Sequence, residues 1–226
     1  MPGEMKRRPV HELLDNDSGS QAEILAALSD LRWFNRWFGG LATVRSLVTR
    51  VARCAGKTEM SLLEIASGEG YVPEILAQEL RADELRLRIV LLDRRPSHLP
   101  SNSRFVKIVG DALHLPFRDA SFDLVCSSLF LHHLAPDEAV SFVRECLRVS
   151  RLAVLTHDLI RHPIHLALAY LGTPLYRSRL TRNDAPASVW QAYTIKEMRG
   201  LCQRASAREV EVQGHYLFRM GAIAWK

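Results

Sequence analysis

Residues Leu62-Leu63-Glu64-Ile65-Ala66-Ser67-Gly68-Glu69-Gly70 combine an apolar run, an acid near its end and a tight turn of small residues. A helical pattern follows from Val72 to Arg81, with Pro73 in the first turn, where its fixed φ is tolerated. Strand, glycine-rich turn and helix in that order bring backbone to the carboxyl edge of a sheet, where a nucleotide-like ligand can approach. Two features argue against a dinucleotide. Pro73 stands where G-x-G-x-x-G needs its third glycine, and Glu69 would repel a pyrophosphate. S-adenosylmethionine (SAM) carries no phosphate and suits an acidic loop better.

Further acids recur at useful places. Arg88-Ile89-Val90-Leu91-Leu92 ends at Asp93, with Arg94 beside it, about 20 residues after Gly70. A carboxylate there can accept from both ribose hydroxyls. Phe105 to Val109 leads into Gly110-Asp111-Ala112, and Ser121 to Ser128 reads as another buried strand ending in Ser127-Ser128.

These residues resemble the class I SAM-dependent methyltransferases, in particular the small-molecule branch with the ubiquinone and menaquinone enzymes. The resemblance rests on Leu63 to Gly70, Asp93, Gly110-Asp111-Ala112 with Leu115-Pro116-Phe117, Phe122-Asp123, and Leu131-His132-His133-Leu134. It is strong over residues 60–157. Ala66 departs from it, since many members have glycine there. The resemblance implies Glu64 near the methionine amino group, Asp93 on the ribose and Asp111 on the adenine amino group. Ala66, Ser67, Gly68, Gly70, Arg94, Gly110, Ala112, Ser127 and Ser128 complete the expected cofactor set.

Methyl transfer from SAM needs an aligned nucleophile and exclusion of water, and a phenol or activated carbon gains from a base. Candidates are histidines at the carboxyl edge: His132 and His133 after strand four, and His157, read as leaving strand five with Asp158 beside it. His157 and His133 are the expected catalytic pair, His157 in the better position. No metal is expected. Catechol-type chemistry needs acids after strand four and an acid–amide pair after strand five, and Ser127-Ser128 and Asp158-Leu159 do not supply them.

The elements that must position these groups form an α/β fold. The expectation is one Rossmann-like, doubly wound, seven-stranded, mostly parallel sheet with a C-terminal antiparallel strand. A helical extension over 1–58 precedes a SAM-binding domain over 59–226, whose insertion at about 158–193 covers the substrate side. Residues 1–17 read as loose, and Ser20-Gln21-Ala22-Glu23 as a capping box opening a helix through Trp33, Phe34, Trp37 and Phe38. Those aromatics could be lid or core. A second helix ends near Gly56; Leu80 to Leu87 reads as a solvated helix end, and Arg151 to Thr156 as strand five. Thr194 to Glu197 is another capping box, and Glu209 to Val212 and His215 to Trp225 are the last strands. The run Arg161, His162, His165, Tyr176, Arg177, Arg179, Arg182, Tyr193 reads as acidic or aromatic substrate recognition, as a solvated face or as a nucleic-acid contact.

The chain's 226 residues allow one sizeable core, its 47% hydrophobic content is ordinary, and a net charge of +5 does not demand nucleic acid. No signal-type or membrane-spanning run is visible, so a cytoplasmic monomer or homodimer is expected. Cys54, Cys126, Cys146 and Cys202 read as buried fillers. The expected activity is methylation of a small aromatic metabolite (phenol, quinone or polyketide). The alternatives are an RNA methyltransferase, a non-catalytic SAM-binding module and, disfavoured by Pro73 and Glu69, a nicotinamide oxidoreductase.

Overall fold

The computed structural model describes residues 5–16, 18–100 and 104–226. Residues 1–4 and 17, which belong to the stretch read as loose, lie outside the described residues.

Seven strands build the sheet: β1 (Glu59–Ile65), β2 (Arg86–Asp93), β3 (Val106–Val109), β4 (Phe122–Ser128), β5 (Ser150–Leu159), β6 (Glu209–His215) and β7 (Arg219–Trp225). Their spatial order is β3-β2-β1-β4-β5-β7-β6. Pairing is parallel through β5, and β7 runs antiparallel to both β5 and β6. The order reverses direction at β1 and β4, the crevice where open α/β sheets bind ligands. β4 buries every residue but its last, as a strand covered on both faces must.

Helices cover both faces. α2 (Gly40–Ala55) presents Val44, Leu47, Val48 and Val51, all at helical spacing, to a core that includes Leu62, Leu124 and Ile223. α3 (Tyr71–Ala82) adds Leu76 and Leu80 to that face. On the other face α4 (Pro136–Val149) buries Phe142, Val143 and Cys146, and α7 (Ile195–Arg204) buries Met198 and Leu201. The capping boxes at Ser20 and Thr194 are both made. Each supplies acceptors to backbone N–H groups that the first helical turn leaves unpaired.

α6 (Arg179–Gln191) packs on α5 (Pro163–Leu171) and on α1 (Gln21–Trp37), and α1 in turn packs on α2 and α3 of this sandwich. Several boundaries differ from the sequence reading. α3 ends at Ala82, and β2 begins at Arg86, inside the stretch read as solvated helix. Strand five runs to Leu159, because the β7 residues Gly221, Met220 and Arg219 pair with His157, Asp158 and Leu159. A long-range partner of this kind leaves no local signal. Of the cysteines, Cys126, Cys146 and Cys202 are buried, whereas Cys54 is exposed at the end of α2. Among the described residues no helix is long and apolar enough to cross a membrane.

Candidate active site

The carboxyl ends of β1, β2, β4 and β5 open into a cavity of about 880 Å³, roofed by α1, α5 and α6. That volume lies in the range typical of pockets that hold small molecules.

One half is built by strand ends and tight turns. Ala66, Gly68 and Gly70 all adopt left-handed φ values (51°, 50° and 69°). The turn is thus sharp enough to present its backbone to the cavity. A Cβ on Gly70 would stand 2.8 Å from Leu91 Cδ1, so a side chain here would have to displace Leu91 as well as hold a left-handed φ. Ala66 holds the same region with a Cβ and stores strain there. Asp93 fastens the turn: its Oδ2 accepts the Gly68 N–H at 2.9 Å and its Oδ1 the Arg95 N–H at 2.9 Å. Asp111 accepts from the Leu113 N–H at 2.9 Å, the main cause holding its carboxyl below the ordinary value.

Glu64 is 2% exposed at the end of β1 and lines the cavity. Burial pushes its carboxyl up to about 7, while interactions with Cys126 and Ser128 draw it partly back. No basic residue forms an ion pair with it among the described residues. A carboxylate so placed favours a ligand that brings its own positive charge.

Of the sequence-expected cofactor residues, Glu64, Ala66, Ser67, Gly68, Asp93, Arg94, Gly110, Asp111, Ala112 and Ser128 all line this cavity. Gly70 shapes the turn from behind. Ser127 does not line it and is buried within β4. The lining fits SAM: acids at the ends of β1 and β2, a third after β3, and the buried Ser67 hydroxyl, which has no hydrogen-bond partner in the protein.

The other half is apolar. Trp33 and Phe34 from α1 and Phe38 at its cap line it together with Leu168, Leu175, Tyr176, Leu217 and Phe218. Phe34 packs edge-on against Tyr176 at 5.4 Å. The aromatic helix therefore walls the cavity, although Trp37 points outward and is 61% exposed. Arg32 ties α1 to the glycine-rich turn through an ion pair with Glu69. Arg177, Arg179 and Arg182 are spent on Ser29, Glu23 and the Tyr176 carbonyl, and Arg161 on Glu197 and two carbonyls. The basic run therefore braces the roof, and of its members only His165 and Tyr176 face the cavity.

The histidines separate by environment. His157 lies inside β5, 1% exposed, absent from the cavity wall, with both ring nitrogens unpartnered in the protein. Burial, assisted by the positive charge of Arg219, lowers it to about 3. Its expected place after the strand is corrected: the pairing with β7 extends β5 past it and turns the ring into the core.

His132, also buried, lines the cavity. Its Nδ1 lies 2.6 Å from Asp158 Oδ1, and its Nε2 lies 3.4 Å from Glu12 Oε1. Burial alone would lower this imidazole, yet Asp158 and then Glu12 outweigh it and raise it to about 10. His132 is thus an imidazolium at neutral pH. His133 stands beside it, ring centroids 4.2 Å apart, with Nδ1 2.9 Å from Asp15 Oδ2. Burial would raise Asp15, but its hydrogen bond with His133 and the neighbouring histidine charges hold it below the ordinary value.

Donor atoms of Glu12, His132 and His133 lie within 4.8 Å of one another, close enough for a metal. Glu12 and Asp15 were unforeseen because the N-terminal segment read as loose. In the structure Arg7 bonds the carbonyls of Gln191, His132 and Leu134, while Asp184 accepts from Leu13 and Leu14 N–H.

Residues 63–152 match the family model described as a methyltransferase domain. No curated protein matches the sequence. Among solved structures, the plantazolicin methyltransferase BpumL, in complex with a monoazolic desmethylPZN analogue and SAH, superposes with a TM-score of 0.68 at 15% identity, over 95% of this chain and 94% of that one. A SAM-dependent methyltransferase from Aquifex aeolicus gives 0.56 at 13% identity, over 87% and 97%. A putative methyltransferase from an antibiotic biosynthesis pathway of Anabaena variabilis gives 0.57 at 16% identity. The match covers 76% of this chain and 64% of that one, less than two thirds of its length. Residues 63–152 thus match a methyltransferase domain, and the chain shares the Rossmann-like fold of these solved methyltransferases.

Proposed function

We propose that this methyltransferase transfers a methyl group from SAM to a small aromatic metabolite of the phenol, quinone or polyketide kind. The observation that carries the reading is one cavity with two unlike halves, an acid-ended, glycine-turned half and an aromatic-walled half, with His133 also on its wall. The solved complex of the plantazolicin methyltransferase BpumL, which holds a monoazolic desmethylPZN analogue together with SAH, supports an acceptor seated beside the cofactor in this fold.

Glu64 would hold the amino end of the cofactor, Asp93 its ribose, and Asp111 the adenine edge. The bound sulfonium supplies a methyl group already activated for displacement. The protein's own task is alignment and exclusion of water. Trp33, Phe34 and Phe38 close the cavity from above, and the Arg32–Glu69 pair latches that helix to the cofactor turn. Asp15 fixes the His133 tautomer by accepting from Nδ1–H, which leaves the Nε2 lone pair to take a proton from an acceptor hydroxyl. His132, held protonated between Asp158 and Glu12, keeps a positive charge beside the site where the acceptor becomes anionic.

A labelled-methyl assay with SAM and pooled phenols, quinones and polyketides tests the reading. Transfer to an aromatic acceptor that falls sharply in His133→Ala, with SAM affinity kept, is the expected result. Transfer only to RNA, or SAM binding without transfer to any pool, would overturn it.

A further inference from the structure

Arg219 is a basic side chain of the cavity wall that the sequence reading did not single out. It opens β7, pairs with Leu159 at the end of β5, and is 5% exposed yet lines the cavity. Its Nε donates to the Phe38 carbonyl at 3.1 Å, which fixes the plane of the guanidinium. Its Nη1 is buried and has no partner in the protein.

The surroundings leave this charge uncompensated. Leu159, Leu217, Phe218 and Phe38 wall the cavity around it. The titratable groups nearby are histidines. His157 is lowered to about 3 and His165 to about 4, each chiefly by burial and also by Arg219 itself, and burial lowers His215 as well. All three are neutral at pH 7. Asp158, the one carboxylate that stabilises Arg219 at a distance, is taken by His132. A buried guanidinium with an orphaned donor is costly unless a ligand completes it.

We propose that Arg219 is the anchor for a carboxylate, or an anion of like shape, on the acceptor, so that the substrate is an aromatic acid rather than a neutral aromatic. The inference rests on the methyltransferase reading above and narrows its substrate. Position assigns the anion to the acceptor rather than to the cofactor. The sheet order sets the expected cofactor residues at the ends of β1 and β2 and just beyond β3, whereas β7 lies beyond β4 and β5. Strands about 4.8 Å apart place β7 roughly 14 Å from β1. A guanidinium donates in a planar fork that matches a carboxylate, and Arg219 stands in the cavity wall with one such donor unpartnered.

The test uses the full chain saturated with SAH and titrates in 1-naphthoate and, separately, 1-naphthamide, two probes of the same shape that differ in charge. The wild type should bind the acid about tenfold or more tightly than the amide, the scale of a charge-assisted hydrogen bond. In Arg219→Met that preference should fall to about twofold or less, with SAH affinity unchanged. Equal binding of acid and amide by the wild type, or binding of neither, overturns the anchor and needs no variant. Loss of SAH affinity in Arg219→Met as large as the loss of naphthoate affinity would overturn it too, by assigning the guanidinium to the cofactor. Failure of the wild type to bind SAH at all would instead strike the methyltransferase reading.

Discussion

Replacing Glu64 by Gln removes a charge that the empty protein holds at a cost. The carboxyl sits at about 7 against an ordinary value of 4.5. At about 1.4 kcal/mol per unit, ionising it in the folded state costs ~3 kcal/mol. The sign follows from proton counts. Between pH 4.5 and 7 the folded state binds more protons at this site than the unfolded state, so this contribution is present at low pH and lost as pH rises through 7. Gln has nearly the same shape and no charge, and the Ser128 hydroxyl can either donate or accept. Glu64→Gln should therefore match the wild type at pH 4 and exceed it by ~3 kcal/mol at pH 8 in urea titrations without ligand. The same variant should bind SAM at least about tenfold more weakly at pH 8, since the ammonium loses its partner. Calorimetry in two buffers of different ionisation enthalpy should show wild-type binding releasing a proton below pH 7. A variant no more stable than the wild type at pH 8, or one with unaltered SAM affinity, would refute the reasoning.

Other outcomes follow from the same structure. His133→Gln should lower kcat by about 100-fold or more while SAM affinity holds, whereas His157→Phe should act on stability and leave the acceptor KM near its wild-type value; steady-state kinetics with calorimetry separate the two. Ala66→Gly relieves a left-handed residue and should raise the urea midpoint by a gain of up to about 1 kcal/mol. Arg32→Ala removes the latch between α1 and the cofactor turn and should speed SAH dissociation in stopped-flow fluorescence more than it slows association. Activity should survive exhaustive treatment with a chelator, because β4 ends in Ser127-Ser128 and offers no acid to hold a metal beside the acceptor; loss of activity restored by a divalent ion would contradict this.

Much of the sheet was legible because β1, β2 and β4 are apolar runs that stop at acids or small residues, and such endings mark the carboxyl edge. The cofactor half was legible for the same reason: Glu64, Gly68, Asp93 and Asp111 each sit within a few residues of their strand. The acceptor half was not. His157 reads as a loop residue until β7 pairs alongside and carries β5 on to Leu159. Arg219 reads as an ordinary strand residue, since its burial is decided by Phe38, which lies far from it in sequence. The segment with Glu12 and Asp15 is polar and looks mobile; its order comes from contacts with Asp184, Gln191 and the His132 carbonyl. α6 carries Pro186 and a basic face, so local propensity gave it no helical signature, and its register is set by packing Leu180 and Val189 inward.

Titration calorimetry of the purified chain with SAM, repeated with Asp93→Asn, tests the cofactor assignment most directly. One molecule of SAM should bind per chain, and Asp93→Asn should weaken it about tenfold or more, because a neutral amide cannot accept from both ribose hydroxyls as the carboxylate can. No heat with the wild type, or equal affinity in the variant, would contradict the assignment of this cavity to the methyl donor.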